Sequence, residues 1–87
     1  MASYRIEWKQ SAVKELRKLE KPAIQKIIQA VEHLSLEPHP AGCRKLRAAE
    51  HTYRLRIGNY RVIYSVHNDF LIIEIIRAGH RKDIYKR

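Results

Sequence analysis

Covalent bracing is almost unavailable to this chain. Cys43 is its only cysteine, so it can build neither an intrachain disulfide nor a zinc site of several thiolates, and a reducing cytosol fits. No apolar run approaches the roughly 18 residues that suggest a membrane span. The opening MASYRIEWKQ lacks the charged, apolar, small-residue order of a secretory leader. The expectation is therefore a cytoplasmic protein with no membrane partner. Glycine-rich phosphate loops, HExxH, CxxC and serine elbows are missing. The five histidines at 33, 39, 51, 67 and 80 show no metal-ligand spacing, so neither a metal nor a cofactor is expected. There is no internal repeat and no low-complexity block.

Acidic residues are also scarce. Nine Asp and Glu stand against eighteen Lys and Arg, leaving a formal net charge of +9, which favours a polyanionic partner such as nucleic acid. With 87 residues, 45% of them hydrophobic, the chain can fill one small core, and a single domain over residues 1–87 is expected.

Hydrophobic spacing sets the order of the elements. YRIEW, at 4–8, alternates Tyr4, Ile6 and Trp8 with Arg5 and Glu7, as a half-buried strand does. A helix is expected from a possible N-cap at Ser11, with Ala12, Leu16 and Leu19 on its apolar side. A second begins with Pro22 as its first residue and carries a stripe of Ile24, Ile27, Ile28, Val31 and Leu34. The short EKP between them implies an antiparallel helical pair. EPHPAG, at 37–42, is a loop, followed by a short segment around Lys45 and Leu46.

YRLRIGNYRVIY, at 53–64, reads as a hairpin whose Gly58-Asn59 turn needs positive φ. The turn pairs 57 with 60, 56 with 61, 55 with 62 and 54 with 63. One face then carries Tyr53, Leu55, Ile57, Tyr60, Val62 and Tyr64, and the other Arg54, Arg56, Arg61 and Ile63. Arg56 faces Arg61. Like charges directly across an antiparallel pair destabilise it by about 0.2–1 kcal/mol, so compensation from outside the fold is expected. FLIIEIIR, at 70–77, is an apolar strand. Paired through an HND turn, it puts Leu71, Ile73 and Ile75 in the core and Ile72, Glu74 and Ile76 on the arginine face, with Glu74 diagonal to Arg61 and offsetting the arginines. The tail opens with a glycine bend and has a brief edge strand at Ile84 and Tyr85. The sum is an α+β domain: an N-terminal strand, a helical hairpin, then a mostly antiparallel twisted sheet with helices on one face.

Arg54, Arg56 and Arg61, with Arg81 after the neighbouring strand, are the candidate site. Guanidinium forks give paired hydrogen bonds to phosphate and stay charged, which suits a phosphorane-like transition state. A solvated polar face is the plain alternative. His80 is either a bystander, a phosphate donor or a proton acceptor. Tyr85 either stacks on a base or covers the sheet edge. Lys45 and Arg47 are either a solvated rim or an electrostatic funnel for RNA.

AVKELRKL, KLRA, YRLRIGNYRVIY and IIRAGHRKDIYKR together resemble the RelE-type toxins of the RelE/ParE toxin-antitoxin superfamily, almost end to end. KLRA matches the family's short first central strand. The resemblance implies a metal-independent endoribonuclease that enters the ribosomal A site and cuts mRNA. The ribose 2′-hydroxyl attacks the adjacent phosphate, leaving a 2′,3′-cyclic phosphate and a 5′-hydroxyl. It further implies that Arg54 and Arg56, at positions often lysine in the family, hold the substrate backbone or act near the 2′-hydroxyl. Arg61 and Arg81 would stabilise the transition state, and Tyr85 would stack on a codon base. His80 falls where members vary between lysine and histidine. Arginine accepts protons poorly, so the general base stays unassigned. A cognate antitoxin, small and acidic, is implied as a partner beside the ribosome and mRNA. Two alternatives remain open: a ParE-like gyrase-inhibiting toxin, and an RNA-binding module without chemistry.

Overall fold

The computed structural model describes residues 3–47 and 49–84. The elements are β1 (Arg5–Trp8), α1 (Gln10–Arg17), α2 (Lys21–Leu34), β2 (Cys43–Lys45), β3 (Thr52–Ile57), β4 (Tyr60–His67), β5 (Ile72–His80) and α3 (Arg81–Ile84). The strands form one sheet in the order β1-β5-β4-β3-β2. β1 runs parallel to β5, and the other pairs are antiparallel. This is the α+β architecture the sequence indicates.

Apolar spacing explains which face is covered. Ala12 and Leu16 of α1 join Ile27, Val31 and Leu34 of α2 over Leu55, Val62, Tyr64, Val66, Ile73, Ile75 and Ala78 of the sheet. Each such fully buried Val, Leu or Ile contributes about 1.5–3 kcal/mol relative to exposure, and α1 depends on it. Eight residues are too few for a helix that stands alone, and α1 has no side-chain cap: its N-cap is Lys9, not Ser11, which lies inside the first turn. The Lys9 N–H instead donates to the Ile75 carbonyl at 2.9 Å, and Lys9 is the single residue between strand and helix. In α2 the N-cap is Glu20, which makes Pro22 the second residue instead of the first. Ile28 leaves the expected stripe and stands 38% exposed, opening with Ile6, Trp8 and Val13 onto an apolar groove of about 600 Å³.

The β3–β4 register is the expected one, with Arg56 opposite Arg61. Elsewhere three local features alter the reading. A bulge between Ile63 and Tyr64 leaves Ile76 unpaired. It reverses the alternation, so that Ala78 enters the core opposite Val62 while Gly79 comes opposite Arg61. Glu74 lies opposite Ser65 and near His67 at 4.0 Å. Four residues of strand, about 13 Å, separate that position from Arg61, so Glu74 does not offset the arginines. Leu71 is not a core strand residue; it sits in the turn at φ 53° and is 40% exposed.

The tail is corrected too. β5 runs straight through Gly79 to His80 with no glycine bend, and Ile84 ends a short helix where an edge strand was expected. Tyr85 lies outside the described residues. A Cβ on Gly79 would come 3.6 Å from Ile84 Cδ1, so α3 folds back over the end of the sheet. β2 begins at Cys43 and ends at Lys45, two residues ahead of the expected KLRA. Gly42, at φ 88°, turns the loop into it and accepts the Arg56 N–H at 3.1 Å.

One buried group ties the proline-rich loop to this core. The Tyr64 hydroxyl donates to the Pro38 carbonyl at 2.8 Å and meets Cys43 Sγ at 3.1 Å. Burial first, then the contacts with Cys43 and Tyr53, pushes its phenol well above the ordinary range. Tyr64→Phe should cost about 1–3 kcal/mol by stranding the Pro38 carbonyl, read by urea denaturation; an unchanged midpoint would refute the role. Because the folded state holds the phenol proton more tightly, its stabilisation is complete below about pH 10 and declines as pH rises beyond it. Tyr64→Phe should show a shallower alkaline loss than the wild type.

Candidate functional site

The sheet face turned from α1 and α2 carries the charge. Cross-strand pairing sets Arg44 of β2 beside Arg54 of β3, and Arg56 of β3 beside Arg61 of β4. These four arginines, with Gly42 and Cys43, line a pocket of about 510 Å³. None of the six lining residues is acidic.

Arg61 is the fixed member of the group. It is only 8% exposed, and its Nη1 donates to the carbonyls of Gly58 at 2.9 Å and Tyr60 at 2.8 Å. The compensation expected from outside the fold is thus partly internal, because the guanidinium folds back on its own hairpin turn. Only Gly58 of the turn pair has positive φ, at 58°, the pattern of a type II′ turn. The middle carbonyl, of Asn59, accepts the Arg81 N–H at 2.8 Å. Three successive turn carbonyls therefore hold one arginine by its side chain and another by its backbone. Arg81 itself is exposed at the first position of α3.

The other candidates are distributed differently. Arg54 is half-buried and Arg56 exposed, both in the pocket wall. Lys45 pairs with Tyr53, so alternation turns it to the helix side, and Arg47 is exposed in the turn beyond β2; neither lines the pocket. His80 pairs with Tyr60, whose ring stands edge-on to it at 5.7 Å, on the opposite face from Arg56 and Arg61. Tyr85 falls outside the described residues. Among the described residues no group of three or more His, Cys, Asp or Glu is placed to hold a metal ion.

Sequence reasoning missed two participants. Arg44 was readable only if β2 was taken to begin at Cys43, just past Gly42; a start at Lys45 leaves it outside the strand. The second is the clamp of Arg77 on Glu15. Glu15 Oε2 accepts from Arg77 Nη2 at 2.7 Å and Nε at 3.2 Å, and its Oε1 accepts the Ala78 N–H at 3.3 Å. β1 pairs with β5 only as far as Ile75, so Glu15 serves the edge that β1 leaves open. Sixty-two residues separate the partners, and no local pattern marks them.

Comparisons with known proteins agree with this geometry. The family described as ParE toxin of type II toxin-antitoxin system, parDE, matches residues 6–85. Toxin RelG of Mycobacterium tuberculosis is 31% identical over 85 residues, covering 97% of this chain and 98% of RelG. The putative toxin RelE1 of Methanocaldococcus jannaschii is 30% identical over 86 residues, with 95% and 96% covered. The archaeal RelE-RelB complex from Pyrococcus horikoshii OT3 superposes with a TM-score of 0.81 at 32% identity, over 91% of this chain and 96% of that one. The RelBE2 toxin-antitoxin complex from Mycobacterium tuberculosis gives 0.79 at 27%, over 91% and 99%. A shared strand order alone would establish only architecture, but identity of this level across nearly the full length goes further: the chain belongs to the toxins of type II toxin-antitoxin systems, as a RelE-type member of the RelE/ParE superfamily.

Proposed function

We propose that this toxin is a ribosome-dependent endoribonuclease that cuts mRNA in the A site and is neutralised by a cognate antitoxin, small and acidic. The observation that carries the reading is the arginine pocket. Its volume of about 510 Å³ falls within the span of about 300–1,000 Å³ usual for ligand sites, and its wall presents guanidinium groups with no carboxylate among them. Arg44, Arg54 and Arg56 hold successive phosphates and lie near the ribose. Arg61 and Arg81 face the charge that builds on the scissile phosphate. In the reaction the 2′-oxygen bonds to phosphorus while the bond from phosphorus to the 5′-oxygen breaks. The hydroxyl proton leaves to a base, and another proton reaches the departing oxygen. Guanidinium groups, not a metal ion, supply the positive charge. A group already fixed by turn carbonyls needs little reorganisation as that charge develops. Lys45 and Arg47, outside the pocket, attract RNA at longer range, and Tyr85 stacks on a codon base.

The antitoxin follows from charge and kinship. A formal +9 favours an acidic partner, and the structures from Pyrococcus horikoshii and Mycobacterium tuberculosis are toxin-antitoxin complexes. A second reading, a gyrase-directed toxin on the same fold, is favoured by the ParE description of the matching family. A supercoiling assay separates them, since inhibition of gyrase without RNA cleavage selects the second.

With ribosomes stalled on a defined message, the purified protein should cut within the A-site codon and leave a 2′,3′-cyclic phosphate; an intact message in the presence of folded protein refutes the reading. Arg61→Ala and Arg81→Ala should each slow single-turnover cleavage about 100-fold or more while changing ribosome affinity far less, and equal losses in both would confine them to binding. Arg44→Ala should reduce the salt slope of single-stranded RNA binding by about 0.7, the value for one phosphate contact. Lys45→Ala should reduce it less, and the reverse order would contradict the register of β2.

A further inference from the structure

His80 stands where β5 passes into α3, and its imidazole is already engaged by the chain. Its Nδ1 lies 3.1 Å from the backbone nitrogen of Lys82 and accepts that N–H. An accepting ring nitrogen carries no proton, so the neutral ring holds its hydrogen on Nε2. A side chain that precedes a helix and accepts the N–H of the second helical residue is an N-cap. The helix it caps has four residues, far too few to persist by propagation alone, so its position depends on such anchors. The Asn59 carbonyl, and Arg77 Nη1, which reaches the Ile84 carbonyl at 3.4 Å, hold it as well. The edge-on Tyr60 ring at 5.7 Å and 81° fixes the imidazole plane. His80 also lies on the sheet face opposite the arginine pocket, so the ring is not aimed where a substrate phosphate would sit.

We propose that His80 is a positioning residue: it caps α3 and thereby sets Arg81, one position along, against the hairpin turn. It acts on the substrate only through Arg81 and is not the proton acceptor. The proposal rests on the nuclease reading above, and its test separates the two.

Asparagine at an N-cap offers the same kind of acceptor without a titratable ring, whereas alanine offers none. With toxin saturating over stalled ribosomes, His80→Ala should slow single-turnover cleavage about tenfold, the size expected from losing one cap. His80→Asn should stay within about threefold of wild type, by the same substitution scale. In an Arg81→Ala background, adding His80→Ala should cost nothing further, because a residue that works through another has no effect once that other is gone. Overturning results are His80→Asn as slow as His80→Ala, wild-type speed in His80→Ala, or a multiplicative loss in the double variant. If the wild-type protein cuts no RNA, the nuclease reading fails on its own. The cap is then judged by hydrogen exchange of the Lys82 amide, which should accelerate in His80→Ala but not in His80→Asn. Equal exchange in all three proteins would refute it.

Discussion

The molecule turns on a two-residue reversal of the chain. Gly58, at φ 58°, lets β3 return as β4 in a single register, and that register stacks arginine against arginine. The same turn then offsets what it imposes. Carbonyls 58 and 60 take the Arg61 side chain and carbonyl 59 takes the Arg81 backbone, so a repulsion of about 0.2–1 kcal/mol is set against hydrogen bonds to a charged group that contribute about 1.5–3 kcal/mol each. The offset favours holding Arg61 where it is. Arg56, exposed and across the strand pair, keeps its charge directed to solvent.

Everything else positions this turn. The core of α1, α2 and the inner sheet face fixes the strands, and the Tyr64 hydroxyl draws the proline-rich loop toward Cys43, so that the next residue, Arg44, enters the pocket wall. The Glu15–Arg77 clamp closes the edge that β1 leaves open and reaches α3 through the Ile84 carbonyl. Distant parts of the chain thus converge on one end of the sheet. That end is the only place where Arg61 and Arg81 share a common support among the described residues.

What the sequence made legible was whatever depended on alternation and on the turn. The hairpin register, the two faces of β3 and β4, and the helical pair all follow from side-chain periods that sterics enforce. What it hid depended on breaks in those periods. The bulge at Ile76 carries no signature in an apolar run, yet it decides that Ala78 and not Arg77 enters the core. The start of β2 was obscured because Cys43-Arg44-Lys45 fits a strand in either phase; Gly42 at φ 88° is the punctuation that decides it. The Glu15–Arg77 clamp and the His80 cap are tertiary or terminal contacts that no spacing rule reaches.

The central claim is that the open sheet face gathers its guanidinium groups into one anion-binding cradle. The most direct measurement follows the side-chain Nε–Hε signals of the arginines by NMR as a short, non-cleavable single-stranded RNA is added. The account predicts that Arg44, Arg54, Arg56 and Arg61 shift together with one affinity, while Arg17 on α1 stays unmoved. Shifts spread evenly over the basic surface, or confined to arginines outside the pocket, would contradict it.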